Sequence, residues 1–84
     1  MPFIYIMGTG GGEGMNKENL TSQVNGTRTE FTVTGNFVTN SLRVYYNGVR
    51  QVQGEHFTEV TDQTFTTTFT PQNGDFLNIE YISK

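Results

Sequence analysis

From Lys17 onward, apolar and polar residues alternate in short runs, and turn residues interrupt the runs at roughly even spacing. A period of two puts every second side chain on the same face of a strand. In Thr-Glu-Phe-Thr-Val, Phe31 and Val33 share a face. In Leu-Arg-Val-Tyr-Tyr, Leu42, Val44 and Tyr46 lie opposite Arg43 and Tyr45. Phe65, Thr67 and Phe69 share one side of the Thr-rich run, with Thr66 and Thr68 on the other. The closing run turns Leu77, Ile79 and Tyr81 inward and Asn78 and Glu80 outward. Glu18 to Gln23 reads as a weaker strand, and residues 34–41 as a loop with Phe37 and Val38 folded back as a plug. Many short strands between turn signals predict an all-β fold, a small antiparallel β-sandwich or barrel-like module. The predicted core is Phe31, Val33, Leu42, Val44, Tyr46, Phe57, Phe65, Phe69, Leu77, Ile79 and Tyr81.

Turn chemistry sharpens this outline. Asn47-Gly48 between two strand-forming runs is a strong signal for a two-residue hairpin of type I′. That turn sets Tyr46 opposite Val49 and Tyr45 opposite Arg50. One face of the hairpin then carries Leu42, Val44, Tyr46 and Val49, and the other Arg43, Tyr45, Arg50 and Val52, with Gly54 ending the return strand. Asn25-Gly26 marks an earlier turn, and Pro71 to Asp75 a later one.

Residues 1–16 differ from the rest. Phe3, Ile4, Tyr5 and Ile6 form a short apolar segment, and Gly8 to Gly14 holds five glycines in seven residues, the composition of a flexible linker. The chain is expected to divide into an extended N-terminal arm and linker, 1–16, and a single β-module, 17–84. An unpaired apolar strand is a template for strand addition, so the arm is expected to pack onto a neighbouring subunit. A frayed terminus is the alternative.

Size and charge narrow the function. The chain has 84 residues and no cysteine, so it has neither disulfides nor thiolate metal ligands to reinforce a small core. Association with itself or with a larger surface is the expected source of further stability. A net charge of −3, with five scattered basic residues, argues against nucleic acid. No run approaches the roughly 18 apolar residues of a membrane span, and the N-terminus lacks the basic region of a signal peptide.

Candidate chemistry is sparse. Glu13 stands where a dinucleotide-binding loop needs its third glycine, and no Gly-Lys-Ser/Thr follows for a phosphate loop. The sequons at Asn19 and Asn25 carry little meaning without a secretory signal. Glu55 and the lone His56 are strand neighbours facing opposite ways, and Asp62 and Asp75 sit in turn contexts. No catalytic pair, calcium loop or cofactor site is expected, and the protein reads as a non-enzyme with no metal. The Thr-rich run offers a weaker alternative as a sugar-binding face, for which Tyr45 or Tyr5 would supply an aromatic platform.

The stretch from Gly26 to Tyr81 resembles a small β-module that recurs in virion proteins of tailed bacteriophages. The resemblance is carried by Asn25, Gly26, Phe31 and Thr32, then by Val44, Tyr45, Asn47, Gly48 and Gln51. It continues through Gly54, Phe57, Thr58, Phe65, Pro71, Gly74, Asp75 and Tyr81, and covers about two-thirds of the chain. It implies a structural protein of the virion, assembled in the host cytoplasm. The separate arm and linker favour a capsid cement or decoration protein that binds between major capsid subunits, most simply as a trimer. A tail, neck or fibre-associated module that binds a host receptor or glycan is the alternative. The expected contact residues are Phe3, Ile4, Tyr5 and Ile6 on the arm and Arg43, Tyr45, Arg50 and Val52 on the hairpin, Tyr and Arg being enriched where binding energy concentrates.

Overall fold

In the computed structural model, residues 15–84 are described; the arm segment Phe3 to Ile6 lies outside them. Among the described residues the strands are β1 (Met15–Asn19), β2 (Glu30–Thr32), β3 (Arg43–Tyr46), β4 (Val49–Arg50), β5 (Phe57–Glu59), β6 (Thr64–Thr67) and β7 (Leu77–Ile82), with a 3-10 turn at Thr21–Gln23. They form two antiparallel sheets, one ordered β1-β7-β3-β4 and the other β2-β6-β5. The chain crosses repeatedly between sheets, and the two inner faces enclose one core. The expected all-β sandwich is the fold that forms.

Alternation puts the aromatic residues at its centre. Phe31 and Phe65 are register partners with ring centroids 5.6 Å apart, and Phe57 meets Phe65 edge-on at 6.1 Å. From the facing sheet come Val44, Leu77, Ile79 and Tyr81, all buried. Burying side chains of this size stabilises by roughly 1.5–3 kcal/mol each. Phe37 is also buried and packs edge-on against Tyr81, so its expected role as a plug is met, whereas Val38 is left 39% exposed.

Several expectations are corrected. Tyr46 and Phe69 are half-buried, not core; their rings pack on each other at 4.8 Å at the rim, where the Tyr46 hydroxyl donates to Asp75 Oδ2. Val49 sits across from Tyr46 as expected but is 62% exposed, because β4 is an edge strand only two residues long and none of the described residues covers its inner side. The strand expected over Glu18 to Gln23 instead occupies Met15–Asn19, and the chain then winds into the 3-10 turn. That shift buries Leu20, which joins the core. The turn expected at Asn25-Gly26 forms, and it joins two sheets, since β1 and β2 belong to different ones. Asn25 Oδ1 accepts from the N–H groups of Thr27 and Arg28 at 2.9 and 2.7 Å, so the side chain holds the turn.

The Asn47-Gly48 turn is the one the residue pair dictates. Asn47 and Gly48 take φ values of 52° and 84°, the left-handed pair that a type I′ turn requires. Asn47 also ties the turn to the start of β7: its Oδ1 accepts from Phe76 N–H at 2.8 Å, and its own N–H donates to Phe76 O at 2.8 Å.

Four carboxylates brace the loops around this core. Glu18 accepts from the Tyr81 hydroxyl at 2.6 Å and from Thr34 N–H at 3.0 Å. Glu59 accepts from the N–H groups of Asn40 and Leu42 at 2.8 and 3.2 Å, holding the loop that enters β3. Asp62 accepts from Asn36 Nδ2 and Lys84 Nζ, and Asp75 from Tyr46, Asn47 and the N–H of Gln72. Each carboxylate satisfies donors that would otherwise compete for water at the end of a strand.

Candidate functional site

The outward face of the four-stranded sheet is set by register. Arg43 lies across from Glu80, which lies across from Lys17; one step along, Arg50 faces Tyr45, Tyr45 faces Asn78, and Asn78 faces Asn19. These side chains share a face because alternate residues of each strand do. The structure thus brings Arg43, Tyr45 and Arg50 together, in the pairing the turn implies.

Their electrostatics are uneven. Lys17 Nζ stands 3.9 Å from Glu80 Oε2, and the Tyr45 hydroxyl donates to Glu80 Oε1 at 3.3 Å. Burial holds the Tyr45 hydroxyl above its ordinary range, aided by the charge and hydrogen bond of Glu80, while Arg50 and Arg43 pull it back. Among the described residues the ion pairs join Lys17 to Glu80 and Lys84 to Asp62, and neither Arg43 nor Arg50 takes part in them.

Val52 falls beyond the ladder. It is half-exposed on a tight turn in which its N–H donates to His56 Nδ1 at 3.0 Å and its carbonyl accepts from His56 N–H at 2.8 Å. His56 therefore closes the return of the hairpin from within. Two exposed apolar residues were missed in the sequence reading. The alternation that turns Leu77 inward also turns Phe76, just before β7, and Ile82, at its end, outward, and they are 60% and 41% exposed.

The strand edges differ in how they end. On β2 the Gln23 amide stands in for a missing strand, its Nε2 donating to Thr32 O at 2.8 Å and its Oε1 accepting from Thr32 N–H at 3.0 Å. On β4 the Gln51 side chain donates to Val49 O at 2.8 Å, but the Gln51 N–H to Val44 O bond turns both residues toward β3. Among the described residues no hydrogen bond therefore reaches the outward backbone groups of Arg50. On β5 the N–H of Gly54 donates to Phe57 O at 2.7 Å. At five residues β1 is the longest of the edges, and the Leu20 N–H to Leu77 O bond of 2.8 Å fixes its phase. In that phase the backbone groups of Asn16 and Glu18 point toward β7, and those of Lys17 point away from it. Among the described residues no hydrogen bond reaches the outward groups of Lys17.

Among the described residues no three His, Asp or Glu side chains come together to hold a metal. Comparison with known proteins gave no matching family model, no similar curated protein and no similar solved structure.

Proposed function

We propose that the chain is a structural subunit of a tailed-bacteriophage virion, a capsid cement or decoration protein that binds between major capsid subunits. In this reading the β-sandwich is a rigid carrier. Its Arg43, Tyr45 and Arg50 face, with Val52 on the turn beyond it, meets the capsid, and Phe3 to Ile6 anchor the protein to a neighbouring subunit, most simply within a trimer. The observation that carries the reading is the contrast between edges: β2 and β5 each bear a local cap, and β4 and β1 bear none among the described residues. Of these two, the two-residue β4 and the five-residue β1, it is the longer β1 that follows the arm and linker in the chain. An uncapped edge is a template for strand addition. The ordered turn and strand motif from Asn25 to Tyr81 supports the assignment to virion proteins.

The test is co-sedimentation with capsids that lack the protein. Full-length protein is expected to pellet with them, and a version lacking residues 2–12 to remain in the supernatant while keeping its β-sheet circular dichroism. Undiminished binding by the shortened protein would remove the arm from the account. Absence of binding by the full chain would remove the capsid.

A second reading, a tail, neck or fibre-associated module that binds a host receptor or glycan, is favoured by the exposure of Phe76, an aromatic platform of the sort sugars stack on. Glycan-array binding abolished by Phe76→Ala would support it.

A further inference from the structure

Where the ends of β1 and β7 meet the loop before β3, a cleft of about 360 Å³ opens, near the lower end of the range for ligand sites. Its apolar rim is Met15, Val38 and Ile82; its polar side is Asn40, Arg43 and Arg50. Among the described residues no acidic side chain lines it. This is unusual in a chain where eight acidic residues outnumber five basic ones. Nearby cations are neutralised, Lys17 by Glu80 and Lys84 by Asp62, whereas Arg43 and Arg50 enter neither pair. The carboxylate closest to them along the sheet, Glu80, is occupied by Lys17 and the Tyr45 hydroxyl. Asn40 is held in place, its N–H donating to Glu59 and its Oδ1 accepting from Gln53 Nε2 at 3.0 Å, so its Nδ2 remains as a donor.

We infer that this cleft binds an acidic, apolar-flanked extended segment of a partner protein, with a carboxylate of the partner held by Arg43 and Arg50. The rim favours a peptide over a bare anion, since Val38 and Ile82 each expose about two-fifths of their surface beside the guanidinium groups. Guanidinium groups pair with carboxylates through two parallel hydrogen bonds, which gives orientation as well as attraction. The inference rests on the reading of this face as a protein interface and names the chemistry of what meets it.

The experiment titrates isotope-labelled full-length protein with acetyl-Leu-Glu-Leu-Glu-Leu-amide, followed by amide NMR shifts. A second titration uses the same peptide with Gln in place of Glu, and a third uses sodium sulfate. Shifts are expected over residues 38–43 and 50–53 with the Glu peptide, and binding about ten- to a hundredfold weaker with the Gln peptide. The double variant R43Q/R50Q is expected to lose binding to the same degree with an otherwise native spectrum, and R28Q, on the loop before β2, to keep it. Equal binding of the Glu and Gln peptides would overturn the proposal without reliance on any variant. So would binding unchanged in R43Q/R50Q, or sulfate binding as tightly as the Glu peptide, which would mark a bare anion site. Because the probe is a free peptide, the outcome stands apart from the capsid reading, which fails only if capsids do not bind the unmodified protein.

Discussion

The hydroxyl of Tyr81 donates to Glu18 Oε2 at 2.6 Å, tying the edge strand β1 to the middle of its sheet from the inner side. Thr34 N–H donates to the other oxygen of the same carboxylate at 3.0 Å, so one side chain fixes both β1 and the crossing that follows β2. Removing the hydroxyl in Tyr81→Phe is expected to lower stability by about 1–3 kcal/mol, the range for hydrogen bonds to charged groups. Gly35→Ala should produce a similar loss, because a Cβ there would lie 3.0 Å from the Tyr81 hydroxyl. Urea denaturation of both variants, with amide exchange of Glu18, checks this. Unchanged protection of β1 in both would show that the strand is held by its ladder alone.

The dependence of stability on pH follows from the same pairs. Burial pushes the Glu18 carboxyl up, but hydrogen bonds from Tyr81, Thr34 and Gly35 together hold it below its ordinary range. The Asn36 and Lys84 donors lower Asp62, and the Tyr46 hydroxyl with the Gln72 N–H lowers Asp75. A carboxylate lowered by folding contributes stability that is present above its unfolded value, near about 4, and is lost as pH falls through the folded value. The tyrosines shift the other way. Burial raises Tyr45 and Tyr81, and the hydrogen bond to Asp75 raises Tyr46. Their contribution is present below about pH 10 and is lost as pH rises through the folded values. The urea midpoint is therefore expected to be level between these limits and to fall on both sides. In Tyr46→Phe the acid-side fall should be shallower, since Asp75 loses its first donor.

The hairpin turn concentrates several functions in one residue. Asn47 adopts a left-handed backbone, accepts from Phe76 N–H and donates from Nδ2 to Asp75 Oδ1 at 3.3 Å. Asn47→Ala loses both side-chain bonds and meets backbone strain, and is expected to cost about 1–3 kcal/mol. Asn47→Gly keeps the backbone and loses only the side-chain bonds, so it should fall between the two. Thermal denaturation ranks the three proteins, and a glycine variant less stable than the alanine one would contradict the role given to the turn.

Gln23 shields the β2 edge, so Gln23→Ala should expose the Thr32 backbone to solvent and to other chains. Faster amide exchange at Thr32 is expected, together with concentration-dependent light scattering absent from the parent protein. Identical exchange rates would mean that the amide pairing has no protective effect.

The division between what could and could not be read from the sequence has physical causes. Leu77, Ile79 and Tyr81 were legible because both faces of β7 have defined surroundings, so the period of two maps directly onto burial. Tyr45 opposite Arg50 was legible because a two-residue turn fixes register. Val49 obeys the same alternation and is exposed all the same, since burial depends on whether the facing sheet extends over a position, and no local pattern records that. Gln23 was invisible for a related reason: its partner is Thr32, nine residues away, and its amide acts only after the 3-10 turn has placed it there. The cleft between Arg43 and Arg50 likewise draws its rim from Met15, Val38 and Ile82, which only the folded sheet brings together.

The central claim is self-association through the segment before β1, and the molar mass of the purified protein by light scattering on a sizing column tests it most directly. The full chain is to be compared with a version that starts at Met15 and keeps every described strand. The account predicts a trimer for the full chain and a folded monomer for the shorter one. A full chain that is a folded monomer at all concentrations, or a shorter one that remains a trimer, would contradict it.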